Sequence, residues 1–288
     1  MIRGVYRSIV PKTVRESINR FRYNAKGRTR APFVALTDPL YRQRGARLQS
    51  LRDIYRGRRC FIMGNGPSLN EMDLQAFEGE YVWASNRAYL LFDRIPWRPT
   101  FWVAVDRRVV PDIAAELMAV QEDLPQTLFF YPDALRLNGA LKSLPNTYWF
   151  RERHDPHHIP RGVFSLDVPD YVASVKTVTI TAMQLAVHLG FDPIYLFGCD
   201  TSYRLPSSTK FEDSNPDRLI STIDDDPNHF DKAYFGAGRR WHNPHPDRMI
   251  SHYQHVYEIA KSEGIEIVNL TLGGALDVFP RGDYLDVL

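Results

Sequence analysis

The chain has 288 residues, 44% of them hydrophobic and 24% charged, with a formal net charge of +2. A globular chain of this length buries a sizeable core and folds without metals or disulfides. No apolar run reaches the ~18 residues needed to span a bilayer, and the first residues carry no continuous apolar stretch of the secretory type, so a cytoplasmic protein is expected.

The charge is unevenly spread. Residues 1–60 hold 16 Lys or Arg against three acids (Glu16, Asp38, Asp53), whereas the remaining 228 hold 20 basic and 31 acidic side chains. The reading is a basic N-terminal helical arm, residues 1–57, on a mildly acidic body, residues 58–288. From Pro11 the arm places Val14, Ile18 and Phe21 at helical spacing with Arg and Lys on the other faces. Such a helix suits the anionic inner face of a membrane; packing on the body or self-association into a homo-oligomer stays open. Its aromatics form no regular stacking series, so nucleic acid is not an expected partner. A second helix is predicted from about Tyr41 to Tyr55.

From Arg58 short apolar runs alternate with helical stretches. Strands are predicted at Cys60–Met63, in YVWASN (81–86), PTFWVAVD (99–106), TLFFYP (127–132), NTYWF (146–150), PIYLFGCD (193–200) and IEIVNL (265–270). Helices are predicted at 112–121, 179–189 and 246–263. This alternation predicts an α/β fold: a single Rossmann-like domain with a mostly parallel, doubly wound sheet. Cys60 and Cys199 fall in apolar runs and read as reduced core thiols. Residues 201–245, rich in Asp, Asn, Pro, Ser and His, break the pattern. A polar insertion of roughly 45 residues is too long for a connector and reads as a lid over a site.

The first strand runs directly into Gly64-Asn65-Gly66-Pro67-Ser68-Leu69. Glycines permit a tight turn and close approach to a ligand, and Ser68 can cap a following helix whose free N–H groups attract phosphate. The loop is neither a Walker loop nor the dinucleotide G-x-G-x-x-G; a plain strand-to-helix turn is the alternative. Ligands of open α/β sheets bind outside the carboxyl ends of strands, which singles out Asn86, Asp106, Gly198 and Asp200. Thr177 and Thr179 open a helix and either cap it or reach a phosphate.

Five of the nine histidines lie between 229 and 255. A transition-metal site with Asp224, Asp225 and Asp226 is one reading, but no close ligand spacing such as H-E-x-x-H is present. A general base is the other, since imidazole titrates near neutrality. Arg239 and Arg240 could neutralise a diphosphate or carboxylate. His154, His157 and His158, in a Pro-containing loop, read as solvated.

GNGPSL, the Asn86 strand end, LGFDPIYLFGCD, DPNHF followed by YFG and RWH, and the closing GGALDVFPR form an ordered set. Together they resemble the bacterial domain family shared by Maf-type flagellin glycosyltransferases and archaeal-type hydroxymethylpterin pyrophosphokinases. They are more distantly similar to bacterial lipooligosaccharide sialyltransferases. The resemblance spans about residues 58–288 and leaves the arm outside. The sialyltransferase likeness implies a mobile lid, no metal, and a cytidine monophosphate-linked sugar held by Asn65, Ser68 and Asn86. It implies a lid histidine as base: His242 is the better positional match and His229 the alternate. Asp106 stands where those enzymes carry an asparagine, and Tyr203 and Tyr234 are candidates for their lid tyrosines.

The resulting expectation is a metal-independent, inverting glycosyltransferase. It would move a sugar, a nonulosonic acid first among candidates, from a nucleotide-sugar donor to a glycan or glycolipid hydroxyl in surface-polysaccharide synthesis. Gly64, Asn65, Gly66, Pro67, Ser68, Asn86, Asp106, Thr177, Thr179, Gly198, Asp200 and Arg240 would hold the donor, and His242 or His229 would act as base. The rivals are a magnesium-dependent pterin pyrophosphokinase, with Asp106, Asp200 and 224–226 holding the metal, and a non-catalytic nucleotide- or glycan-binding module.

Overall fold

The computed structural model describes residues 39–154, 163–175, 177–212 and 215–288. The amphipathic stretch from Pro11, and His157 and His158, lie outside the described residues. By internal contacts the chain divides into Met1–Ala46 and Arg47–Leu288. The second unit carries the sheet and both of its cores.

Residues 47–57, expected with the arm, belong to this second unit. Leu48 and Leu51 are buried in the core, and Tyr55 stacks on Phe191 at 4.7 Å between ring centroids. The helix expected at 41–55 is α1, Pro39–Gln49, and turns follow it. Asp53 at φ +59° and Gly57 at φ +71° adopt left-handed backbone that no α-helix contains.

Seven strands form the central sheet: β1 (Cys60–Met63), β2 (Val82–Ser85), β3 (Phe101–Val103), β4 (Leu128–Pro132), β5 (Thr147–Phe150), β8 (Ile194–Phe197) and β12 (Ile267–Asn269). Between β5 and β8 the short strands β6 (Glu152–Arg153) and β7 (Val172–Ala173) form a parallel pair of their own. The order of the central sheet is β12-β8-β1-β2-β3-β4-β5, and every neighbouring pair is parallel. The chain lays strands outward from β1 to β5, then crosses back to β8 on the other side of β1. The switch point therefore lies between β1 and β8.

Period-two alternation puts each strand's side chains into two cores. Cys60 and Ile62, Trp83, Phe101 and Val103, Phe130, and Ile194 and Leu196 face one core. Phe61 and Met63, Val82 and Ala84, Trp102, Phe129 and Tyr131, and Phe197 face the other. A parallel sheet covered on both faces is what such near-continuous apolar runs predict. Helices α5 (Val178–His188) and α6 (Pro246–Ser262) cover the first face. Leu117 of α3 (Ala114–Asp123) and Leu135 of α4 (Asp133–Leu137) cover the second. The fold is the expected doubly wound α/β domain. Cys60 and Cys199 are buried and unpaired. No helix among the described residues is long and apolar enough to cross a membrane.

Two details differ from the sequence reading. The turn after β1 leads into a four-residue 3-10 turn, Pro67–Asn70, not an α-helix, so no helix dipole of consequence points at the glycine loop. The insertion at 201–245 is also not irregular throughout: β9 (Lys210–Phe211), β10 (Arg218–Ile220) and β11 (Arg240–His242) form a small antiparallel sheet. These strands are too short for their alternation to register in the sequence.

The switch point is closely packed. A Cβ on Gly64 would lie 2.1 Å from the Gly198 carbonyl oxygen, and one on Gly66 would lie 1.8 Å from a carboxylate oxygen of Asp200. Gly64→Ala is expected to destabilise the protein by roughly 1–3 kcal/mol, because backbone must shift to admit the methyl group. A urea midpoint equal to the wild type's would show that the loop has slack these distances do not allow.

Candidate active site at the carboxyl edge of the sheet

The carboxyl ends of β1, β2, β3 and β8 carry the expected residues, and the structure gives several of them partners within the protein. Asp200 follows β8 and reaches the glycine loop. Its carboxylate accepts from the Ser68 N–H at 3.1 Å and from the Ser68 hydroxyl at 2.7 Å. The groups expected to cradle a phosphate are thus already held by an anion of the protein itself. Ser68 is a bonding partner of Asp200, not the cap of a helix; Gly66 stands at the cap position and Pro67 opens the turn. Burial pushes the Asp200 carboxyl above its ordinary value, and the Ser68 hydrogen bonds offset part of that rise. The closing glycines arrive at the same point: a Cβ on Gly274 would lie 2.9 Å from the Asp200 backbone, and Ala275 N–H donates to the Asp200 carbonyl at 2.7 Å.

Asn65 and Asn86 are the polar groups left open. The Asn65 amide N–H bonds the Ser85 hydroxyl at 2.9 Å, while its Oδ1 is buried with no hydrogen-bond partner. Asn86, at φ +49°, also buries an unpartnered Oδ1. Its side chain lies against the hydroxyl of Tyr234. A buried acceptor left unpaired costs about 1–3 kcal/mol, so two of them at adjacent strand ends point to a ligand that donates hydrogen bonds.

The lid rests on these residues. Phe230 N–H donates to the Asn65 carbonyl at 3.0 Å, and the Asn70 amide donates to the Phe230 carbonyl at 3.1 Å. His229 stacks on Tyr234 at 3.9 Å with 4° between ring planes, and its Nδ1 donates to Asp226 at 2.8 Å. Asp226 also accepts from the backbone N–H groups of Asn228 and Phe235. Burial alone would raise its carboxyl; these bonds and the His229 charge outweigh that and hold it below the ordinary value.

The second expected base sits at the end of β3. His242 Nδ1 donates to Asp106 Oδ2 at 2.8 Å, and the imidazole is 40% exposed. Because an ionised carboxylate only accepts, Nδ1 carries a proton, and in the neutral imidazole Nε2 is then the nitrogen with the lone pair. That nitrogen makes no hydrogen bond among the described residues. Asp106 uses its other oxygen to brace the turn before α2 (Val109–Asp112), accepting from Arg108 N–H at 2.7 Å and Val109 N–H at 3.1 Å. Asp106 was expected at the donor; in the structure its carboxylate is taken up by His242 and by the backbone N–H groups of Arg108 and Val109. Its carboxyl stands below the ordinary range, since hydrogen bonding and charge from His242 outweigh burial.

Other expected site residues are turned elsewhere. Arg240 forks onto Asp112, with Nε 2.9 Å from Oδ2, so its guanidinium is engaged within the protein. Thr177 caps α5, accepting from Thr179 N–H at 3.3 Å, and both threonines lie beside the buried Tyr253. Tyr203 is half-buried near Cys199, Asp226 and Asp200; burial first, then those charges, push its hydroxyl up. Asp224 accepts from Ala237 N–H, Asp225 from Ser208, and Asp226 from His229, so the acidic run diverges. Among the described residues, no three His, Cys, Asp or Glu side chains gather as a metal site. His245 bonds Asp217, His252 is buried on α6, His255 donates to the Ser251 carbonyl, and His154 is exposed.

A family model described as 6-hydroxymethylpterin diphosphokinase MptE-like matches residues 39–205. The chain belongs to that family. The MptE-like match takes in β1 to β8, the glycine loop, Asn86, Asp106 and Asp200, and ends before His229 and His242. The structure is similar to a Maf glycosyltransferase from Magnetospirillum magneticum AMB-1, at 16% identity and TM-score 0.45 over 86% of this chain. The chain spans 41% of that protein's length. It is also similar to the sialyltransferase CstII from Campylobacter jejuni in complex with cytidine-5'-monophosphate, at 13% identity and TM-score 0.42, over 78% of this chain and 85% of the other. Likeness at this level says nothing of activity. No curated protein sequence matches the chain.

Sequence reasoning missed what seats the lid. Trp241, between Arg240 and His242, is buried with Val109, Ile113 and Leu219 in a small cluster separate from both cores. Arg239 reaches the Asp112 carbonyl and, at 2.6 Å, Glu116. The half-exposed ion pairs contribute ~0–1 kcal/mol each, whereas truncating a buried tryptophan costs ~3–5 kcal/mol. Apolar contact therefore holds the lid down, and the charges set where it lands. A lone Trp flanked by Arg and His was the available signal, but most of its partners lie far away in the chain.

Asp106, Asp112, Glu116 and Asp226 are all held below their ordinary values: burial would raise each, and histidine or arginine partners outweigh it. Stability from depressed carboxyls is present above the unfolded value, near ~4, and is lost as pH falls through the lower folded values. Asp200, raised, works in the opposite sense. The urea midpoint should hold level through neutral pH and fall in acid, and Asp112→Asn should make the fall shallower. An Asp112→Asn curve parallel to the wild type's would remove that carboxyl from the account.

Proposed function

We propose that the protein is a glycosyltransferase that moves a sugar from a nucleotide donor, a cytidine monophosphate-linked nonulosonic acid first among candidates, to an acceptor hydroxyl. The observation that carries the reading is the His242–Asp106 pair at the carboxyl edge of the sheet, in which Nδ1 is bonded to Asp106 and the side chain is 40% exposed. In the reaction, Nε2 takes the proton of the acceptor hydroxyl as its oxygen bonds the anomeric carbon. The bond from that carbon to the donor phosphate breaks, its electron pair leaves with the nucleotide monophosphate, and configuration inverts. Asp106 holds the tautomer and stabilises the imidazolium that forms. The unpartnered oxygens of Asn65 and Asn86 accept from hydroxyl or amino groups of the donor. The lid excludes water that would otherwise hydrolyse it.

His242→Ala should lower kcat by about 10²–10⁴-fold with little change in donor KM, and His229→Ala should leave most of kcat. Wild-type rates in His242→Ala would remove the base.

The family description favours a second reading, phosphate transfer from a nucleoside triphosphate to a pterin. That chemistry needs magnesium held by carboxylates, and Asp106, Asp200 and Asp226 are each engaged with a side chain of the protein. A thermal-shift screen of cytidine, uridine, guanosine and adenosine phosphates, with and without magnesium, separates the two readings. Stabilisation by cytidine monophosphate indifferent to magnesium is expected. Stabilisation only by adenine nucleotides with magnesium would replace the first reading by the second, and tight binding without turnover would indicate a binding module.

A further inference from the structure

The base and its carboxylate belong to different parts of the molecule. His242 is on β11 of the lid, and Asp106 is at the end of β3 in the sheet. Their contact exists only while β11 is correctly seated. The four consecutive residues 239–242 each reach the segment 106–116. Arg239 holds the Asp112 carbonyl and Glu116. Arg240 holds the Asp112 carboxylate through its guanidinium and through its backbone N–H at 3.1 Å. Trp241 packs on Val109 and Ile113, and His242 meets Asp106.

Apolar packing of Trp241 is non-directional and would tolerate a shifted strand. A forked guanidinium–carboxylate contact would not, because it fixes two atoms against two. Glu116 extends the arrangement to the other histidine segment. Its second oxygen accepts from the Tyr89 hydroxyl at 2.7 Å, Tyr89 bonds Arg87 at 3.1 Å, and the buried Arg87 donates to the Tyr234 carbonyl at 2.6 Å. Tyr234 is the residue on which His229 stacks.

We propose that Asp112 and Glu116 are positioning residues that seat β11 through Arg240 and Arg239 and so hold His242 against Asp106. They touch no reacting atom and act through the strand. The proposal rests on the reading of His242 as base, and it makes a claim about the His242–Asp106 contact that stands apart from turnover.

The test compares Asp112→Asn and Glu116→Gln with Asp277→Asn. Asp277→Asn removes an exposed ion pair, Asp277–Arg281, outside the lid. Two quantities are read: the proton resonance of the His242 Nδ1–H donated to Asp106, assigned by its loss in Asp106→Asn, and the steady-state transfer rate. Asp112→Asn and Glu116→Gln should weaken or abolish the resonance and lower kcat at least ~10-fold with donor KM within about 2-fold, as expected when only the positioning of a general base is lost. Asp277→Asn should change neither. A resonance that persists unchanged in both variants overturns the proposal, whatever the rates. If the wild type transfers no sugar from any nucleotide donor, the glycosyltransferase reading fails, and the resonance alone still decides whether Asp112 and Glu116 position His242.

Discussion

The close approach of the β1 turn to the β8 turn is the constraint from which the site follows. Two backbone segments meet at the switch point with no room for side chains, so Gly64 and Gly66 face Gly198 and Asp200 directly. Asp200 then lies within reach of Ser68 and fastens the loop with two hydrogen bonds. A third segment, Gly273 to Ala275, closes on the Asp200 backbone. Three glycine-bearing turns thus converge on one residue, Asp200. Asn65 lies between the two glycines of the first turn, and its position on the Ser85 hydroxyl is a consequence of that packing. Were the loop to relax, Asn65 would lose both Ser85 and the Phe230 N–H that brings the lid down.

The lid inherits its seat from the same edge. Its first segment lands on the glycine loop through Phe230 and on the end of β2 through Tyr234 and Asn86. Its second lands on α2 and α3 through Arg239, Arg240 and Trp241. Each segment presents one histidine, and each histidine has one carboxylate. The two pairs differ in what surrounds them. His229 is walled in by Tyr234 and Phe235, with a side chain 11% exposed, whereas His242 is 40% exposed. Under the proposed transfer the base meets an acceptor arriving from outside, and the more exposed His242 suits that role. A buried, stacked imidazole is better suited to holding Tyr234 against Asn86.

Much of this was legible in the sequence, for reasons that also mark the limit. Strands buried on both faces read as unbroken apolar runs, so CFIM, VWAS, LFFYP and IYLF announced themselves. Strand ends in a parallel sheet gather at one edge, so Asn65, Asn86, Asp106 and Asp200 could be grouped before their distances were known. Their partners could not. The pattern Gly-x-Gly is the same whether the missing Cβ makes room for a ligand or for another loop, and here Gly198 and Asp200 fill the room. Arg240 beside His242 has the look of a phosphate fork, but the carboxylate it grips is Asp112, 128 residues earlier in the chain. The lid strands, two and three residues long, are too short to show a period.

The charges at the edge bear on what ligand can enter. Asp200 is bonded to Ser68 of the glycine loop, Asp226 to His229 and Asp106 to His242. Arg87, Arg108, Arg239 and Arg240 are all turned to acceptors of the protein. A nucleoside triphosphate brings about four negative charges and needs a cation between it and such carboxylates. A nucleoside monophosphate joined to a sugar is a diester with one phosphate charge. Under the proposed function, Asn65, Asn86 and Tyr234 offer neutral hydrogen-bonding groups to a donor of the second kind. In a scaffold of this kind the sheet presents strand ends, and the groups that close over them select the chemistry.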